Sequence, residues 1–263
     1  MKNKKSLGQH WLKNRAILDE IAELALADDA PAGLCLEIGP GLGTLTSSLL
    51  KRFQKVIAIE FDSDLARKLP GSFPGKNLEV INQDILATDL ASLVGNEPYS
   101  VAGNIPYYIT SPIIKKLLET SPRPQKISLL IQKEVAERIA AQDGGQSLLS
   151  LTVQNLAEAQ LGPVVPAVEF TPPPKVDSQV LILTPRSAPQ IPPSYLALAE
   201  AGFSNPRKKL ATNLAAADLR PIGPTLINRS KTEWQQILQQ CDLNPDARPA
   251  DLSLQDWENI YHS

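Results

Sequence analysis

Asn104-Ile105-Pro106-Tyr107 combines, in one short stretch, an amide, a fixed backbone and an aromatic face. That combination suits a planar base carrying an exocyclic amino group. Asn104 can accept one amino hydrogen through its side-chain carbonyl. Pro106, with no amide proton and a fixed φ, can present a backbone carbonyl to the other. Tyr107 offers a ring on which the base can stack. Two acceptors on one nitrogen push electron density onto its lone pair, which can then attack an electrophilic carbon without an ionising base. Positioning would supply most of the acceleration, up to about 7 to 11 kcal/mol, with electrostatic stabilisation of the developing cation added to it. The bland alternative is an ordinary Asn-x-Pro turn, which ranks lower because of the motifs around it.

Glu37-Ile38-Gly39-Pro40-Gly41-Leu42-Gly43 comes after an apolar run and precedes a helical pattern. Glycines in such a turn let backbone approach a ligand closely. The GxGxG spacing, unlike the GxGxxG of pyrophosphate binders, favours a nucleoside-type cofactor over a dinucleotide. The glycines alone fit a ligand-free turn equally well. Glu60 stands about 20 residues downstream, where a carboxylate can accept from both ribose hydroxyls. Asp84, in Asn82-Gln83-Asp84-Ile85, can accept from the amino group of a cofactor adenine. Either acid by itself is better read as a helix cap. Their placement with Gly39 and Asn104 at the carboxyl ends of successive expected strands is the stronger signal, since open α/β sheets hold ligands there.

Periodicity indicates the elements that position these residues. Leu34–Ile38, Val56–Ile59, Leu78–Ile81, Tyr99–Ala102 and Ile127–Ile131 are short apolar runs without alternation, expected as strands buried on both faces. Between them Leu45, Leu49, Leu50 and Phe53, then Ile113, Ile114, Leu117 and Leu118, form helical stripes. Such alternation implies right-handed crossovers and a doubly wound α/β domain with a parallel sheet. After Pro172, Pro173 and Pro174, Val176–Leu183 reads as a final strand in an edge or antiparallel position, and Pro185, Pro189, Pro192 and Pro193 as a linker. Segments near Tyr195–Gly202, Pro206–Ala217, Thr232–Gln240 and Leu252–Tyr261 have helical patterning. The expected division is an α/β domain over residues 1–185 and a small all-helical domain over 186–263.

Hydrophobic residues make up 43% and charged residues 21% of the 263, ordinary globular usage. No apolar run is long enough for a bilayer span, and the basic start lacks the apolar stretch of a secretory signal, so a cytoplasmic location is expected. Cys35 and Cys241 stand far apart without a histidine pair, which argues against a disulfide and a metal site, and Cys35 reads as core. A formal net charge of -2 argues against a protein held to nucleic acid by overall charge alone. Local clusters remain: Lys2, Lys4, Lys5, Lys13 and Arg15 at the start, and Arg207, Lys208 and Lys209 in the tail. A charge run is more often a solvated face, but beside a base-handling motif Lys4, Lys5, Arg207, Lys208 and Lys209 become candidate RNA contacts.

Together these stretches resemble the ribosomal RNA adenine N6-dimethyltransferases. The resemblance runs over nearly the whole chain, through SLGQHWL, EIGPGLGTLT, Glu60, QDIL, NIPYYIT, FTPPPKVDSQV and FSNPRKKL. It implies a Rossmann-like methyltransferase domain using S-adenosylmethionine, with His10, Leu12, Gly39, Glu60, Asp84 and Asn104 lining the cofactor pocket. Asn104, Pro106 and Tyr107 would handle the target base, and Phe170 would add a second stacking surface. His10 and Trp11 depart from the family pattern, which more often has Asn and Phe there. The implied substrate is a pair of adjacent adenines, each dimethylated at N6, in the 3′-terminal hairpin loop of 16S rRNA. The implied partner is the immature small subunit, met by a monomer in ribosome biogenesis. FTPPPKVDSQV favours this branch over the large-subunit enzymes that share the cofactor motifs. The intact NIPY stretch argues against a transcription-factor relative that keeps only the fold. GxGxG and the lack of a central proton-transfer histidine argue against a nicotinamide dehydrogenase.

Overall fold

The computed structural model describes residues 10–27, 33–141, 145–223 and 229–263; Lys4 and Lys5 lie outside the described residues. The chain packs as two units, one of Met1–Ala136 with Glu158–Pro185 and the other of Glu137–Ala157 with Arg186–Ser263. In the first, β1 (Trp11–Leu12) and α1 (Arg15–Glu23) precede β2 (Leu34–Ile38), α2 (Thr46–Leu49), β3 (Lys55–Glu60) and α3 (Ser63–Lys68). Next come β4 (Leu78–Asn82), α4 (Leu90–Val94), β5 (Tyr99–Asn104), α5 (Thr110–Glu119), β6 (Ile127–Gln132) and the start of α6 (Lys133–Ala140), whose residues after Ala136 count to the second unit. After α7 (Leu148–Leu156), which belongs to the second unit, come β7 (Ala157–Val165), β8 (Phe170–Thr171) and β9 (Ser178–Pro185).

The seven-stranded sheet has the order β4-β3-β2-β5-β6-β9-β7. Its first five strands run parallel, and β9 returns antiparallel to β6. Every residue of β2 is buried, as a central strand with neighbours on both edges requires. Alternation sends Cys35 into the apolar cluster with Leu18, Ile21, Leu45 and Leu49, so α1 and α2 cover that face. β4 departs from the expected burial: it is the sheet edge, and Glu79 and Asn82 are exposed. The final strand is antiparallel but internal, because β7, for which the sequence shows no strand pattern, takes the other edge. Gly162 and Pro163 hide β7 from a propensity reading, yet a proline is tolerated on an edge. A Cβ at Gly162 would lie 3.0 Å from Val180 Cβ on β9, so the strands approach closely there.

The second unit contains α7, α8 (Pro193–Gly202), α9 (Leu210–Ala216), α10 (Lys231–Gln240) and α11 (Leu254–His262), closed around the buried indoles of Trp234 and Trp257. The division at 185/186 therefore omits one segment. Residues 137–157 join the tail because Leu151 of α7 packs into the same apolar cluster as those tryptophans. The proline stretch is also no loose linker, since Asn155 accepts the amides of Gln190 at 3.0 Å and Ile191 at 2.8 Å. No described helix is long and apolar enough to cross a membrane.

Candidate active site

Parallel pairing in register brings the carboxyl ends of β2, β3, β4 and β5 side by side, with Ile38 opposite both Ile59 and Gly103. The loops beyond them enclose a cavity of about 210 Å³. Gly39, Glu60, Asp84, Asn104, Pro106 and Tyr107 all line it, and His10 and Trp11 reach it from the amino-terminal segment.

Gly39 and Gly41 have φ of 66° and 56°, a left-handed backbone that other residues adopt only under strain. The turn they make aims the Gly41 amide at Glu60 Oε2, 3.0 Å away, while Glu60 Oε1 accepts from Asp62 at 2.8 Å. Burial pushes the Glu60 carboxyl above the usual range and these amides pull it back. Asp62, not Glu60, is the helix cap here, accepting from the amides of Asp64 and Leu65 at the start of α3. Asp84 Oδ1 accepts from the Leu86 amide at 2.9 Å, and Oδ2 has no partner among the described residues. Lys116 holds the outer wall of that loop by donating to the carbonyls of Leu86 at 2.9 Å and Thr88 at 2.6 Å.

Asn104 Nδ2 donates to the main-chain carbonyl of His10 at 2.9 Å. That bond fixes which end of the amide is committed, and it leaves Oδ1 without a partner among the described residues. Tyr107 and Ser178 share a hydrogen bond of 2.7 Å. The Tyr107 ring is stacked with that of His10, centroids 6.0 Å apart and planes 18° from parallel, and His10 Nδ1 donates to the Pro172 carbonyl at 2.7 Å. The Pro106 carbonyl accepts the Ile109 amide at 3.2 Å, so one of its lone pairs is taken; the Ile105 carbonyl has no partner among the described residues.

Leu12 and Phe170 are not part of this lining. They face each other in the β1–β8 pair, at 0% and 3% exposure, inside the core cluster of the first unit. As placed, Phe170 presents no free ring face. Sequence reasoning missed the partners of the site: Ser178, the carbonyl of Pro172, and the exposed rings of Phe61 and Tyr108 on the cavity wall. Pro172 and Ser178 lie in FTPPPKVDSQV and Tyr108 in NIPYYIT, but neither motif shows which of its residues contact Tyr107 and His10 or open onto the cavity. Trp11 lies over the glycine turn, its Nε1 3.2 Å from where a Cβ on Gly41 would stand.

Glu37, beneath the turn, is 1% exposed, and neither carboxyl oxygen has a hydrogen bond of good geometry among the described residues. Burial pushes it up to about 8 although Thr46 lies close enough to oppose the shift. Among the described residues no cluster of three metal-ligating side chains occurs. In the second unit Arg207, Lys208 and Lys209 are exposed on the turn before α9, where Lys209 pairs with Asp246 at 2.8 Å.

The family model for ribosomal RNA adenine dimethylase matches residues 1–220. The chain is 37% identical over 266 residues to ribosomal RNA small subunit methyltransferase A of Dehalococcoides mccartyi, covering 99% of this chain and 88% of that protein. It is 42% identical over 275 residues to the protein of that name from Nostoc punctiforme, covering 97% and 92%. Among solved structures, 23S rRNA methyltransferase ErmE superposes with a TM-score of 0.73 at 28% identity, over 96% of this chain and 98% of that one. A dimethyladenosine transferase from Plasmodium falciparum gives 0.73 at 29% identity, over 95% and 96%.

Proposed function

Since this chain belongs to the ribosomal RNA adenine dimethylase family, we propose that it moves methyl groups from S-adenosylmethionine to N6 of two adjacent adenines in 16S rRNA. The site is the 3′-terminal hairpin loop, and each adenine is dimethylated. The work takes place on the immature small subunit, in the cytoplasm, by a monomer. The strongest support for the chemistry is the Asn104 amide, whose nitrogen is occupied by the His10 carbonyl while its oxygen stays available.

The cavity fits an adenosyl sulfonium compound on chemical grounds. Glu60 keeps a free lone pair on each oxygen for a ribose diol, Asp84 Oδ2 is open to an adenine amino group, and Ile38, Ile59 and Ile85 give an apolar bed. When bound, the cofactor supplies an electrophilic methyl group. The chain does the rest. Asn104 Oδ1 accepts one N6 hydrogen and a backbone carbonyl of Ile105-Pro106 accepts the other; Pro106 already serves Ile109, which leaves Ile105 the less occupied. Both acceptors raise the density on the N6 lone pair and favour the positive charge that develops as the N–C bond forms, while the carbon–sulfur bond would break with its electron pair left on sulfur. The proton then leaves N6 for solvent. Tyr107, steadied by Ser178, provides the stacking face for a base splayed out of a single-stranded loop. Arg207 and Lys208 contribute phosphate contacts.

The likeness to a 23S rRNA methyltransferase raises large-subunit rRNA as a second substrate, and the small-subunit names of the relatives at higher identity weigh against it. Mass spectrometry separates the two. Undermethylated small subunits and large subunits are incubated with this protein and labelled cofactor, and the rRNA is digested. Label as dimethyladenine at two adjacent small-subunit positions is the expected result; label only in large-subunit rRNA would overturn the proposal.

A further inference from the structure

We infer that His10 is a positioning residue for methyl transfer, one that holds Asn104 and Tyr107 in mutual register; this rests on the roles proposed above for those two residues. The resemblance places position 10 among cofactor contacts, with Asn as the common residue. This histidine lines the cavity, and its contacts run to the target-base residues as well. Its main-chain carbonyl takes the Asn104 amide at 2.9 Å, its Nδ1 donates to Pro172 at 2.7 Å, and its ring stacks on Tyr107 at 6.0 Å. One residue thereby touches both groups assigned to the target base and ties them to a third segment.

The β1–β8 pairing explains why an imidazole serves here. Trp11 faces Thr171 and Leu12 faces Phe170, so the next antiparallel step sets His10 against Pro172. The Lys13 amide donates to the Glu169 carbonyl, and antiparallel pairs alternate, so His10 and Pro172 fall at a position where neither main chain donates to the other. The imidazole N–H takes over by bonding the Pro172 carbonyl, which anchors the end of the strand pair at the point where its own carbonyl must meet Asn104. Losing the ring frees the end of β1, and the amide of Asn104 and the ring of Tyr107 both lose a reference. An asparagine could make the Pro172 bond but offers no aromatic face to Tyr107.

The test measures kcat, KM for RNA and Kd for S-adenosylmethionine in His10→Ala, His10→Asn and His10→Phe, each checked for folding by thermal melting. Positioning predicts that His10→Ala lowers kcat about ten- to a hundredfold, as small misplacements at a reacting centre do, with the cofactor Kd shifted less than about threefold. His10→Asn and His10→Phe each recover part of the loss, because each restores one of the two side-chain contacts. In a Tyr107→Ala background the penalty of His10→Ala shrinks. A tenfold weaker cofactor Kd with unchanged kcat would overturn the inference in favour of a cofactor wall, and so would full additivity with Tyr107→Ala. Failure of the unaltered protein to methylate adenine would instead defeat the parent proposal. If His10→Ala does not fold, the Asn and Phe variants carry the same contrast.

Discussion

The strand-end cavity and the basic turn before α9 hold their polar side chains by different means. In the cavity Asp84, Asn104 and Tyr107 are each committed to a protein partner through one atom, and Glu60 through both of its oxygens. On the turn, Arg207, Lys208 and Lys209 project into solvent, and Lys209 is tied to Asp246 by an ion pair that is itself half exposed. Partly buried groups with fixed partners define positions to fractions of an ångström, so loss of one atom is felt directly. Exposed charges act in numbers, are screened by salt and tolerate substitution.

The sharpest way to break that contrast is Asn104→Ala. It should lower kcat by about a hundred- to a thousandfold, the cost of removing one preorganised hydrogen-bonding group, while thermal melting stays near that of the parent. An unchanged turnover number would remove the amide from the chemistry. Glu60→Ala comes next: cofactor binding by calorimetry should weaken by about 2 to 3 kcal/mol, the worth of hydrogen bonds to a charged acceptor, and the Gly41 and Asp62 amides lose their partner as well.

Glu37 extends the comparison to stability. Its folded carboxyl titrates at about 8, far above the ordinary carboxylate range, so the folded state keeps a proton that the unfolded chain releases. The stabilisation is complete below the unfolded value and is lost as pH rises through the folded one. Glu37→Gln should therefore gain thermal stability relative to the parent as pH rises from about 4.5 to about 8, the interval between the unfolded and folded values. Parallel melting curves would show that the carboxyl is not held protonated.

The surface should give smaller effects. Replacing both Arg207 and Lys208 with alanine should weaken RNA binding and reduce the slope of log K against log salt by about 1.4, at about 0.7 per lost single-strand phosphate contact. Lys209→Ala should change it less, because Asp246 already offsets that charge. A Lys209 effect as large as its neighbours' would mean that the ion pair opens on binding and that the turn acts as one patch.

The residues at the strand ends were legible because buried parallel strands leave uninterrupted apolar runs, and the residues just past each run must lie on one edge of the sheet. Gly39, Glu60, Asp84 and Asn104 came together for that reason. Partners drawn from distant segments were not legible. Asn104 meets His10 across 94 positions and Tyr107 meets Ser178 across 71, and no local pattern encodes such pairings. Phe170 looked available for stacking because sequence cannot show that β8 pairs with β1 and turns the ring into the core. The place of α7 was hidden likewise: its apolar residues suit any core, and only packing assigns Leu151 to the tryptophan cluster of the tail.

We propose that catalysis turns on one contact, in which the oxygen of the Asn104 amide, its nitrogen held by the His10 carbonyl, grips the amino group of the target adenine. A crystal structure with adenosine and a stable sulfonium analogue of the cofactor tests it most directly. The expected result is Asn104 Oδ1 at about 2.9 Å from adenine N6, a normal hydrogen-bond length, with Nδ2 still on His10 and N6 facing the sulfonium carbon. An adenine amino group bonded elsewhere, or an Asn104 amide turned away from it, would contradict this mechanism.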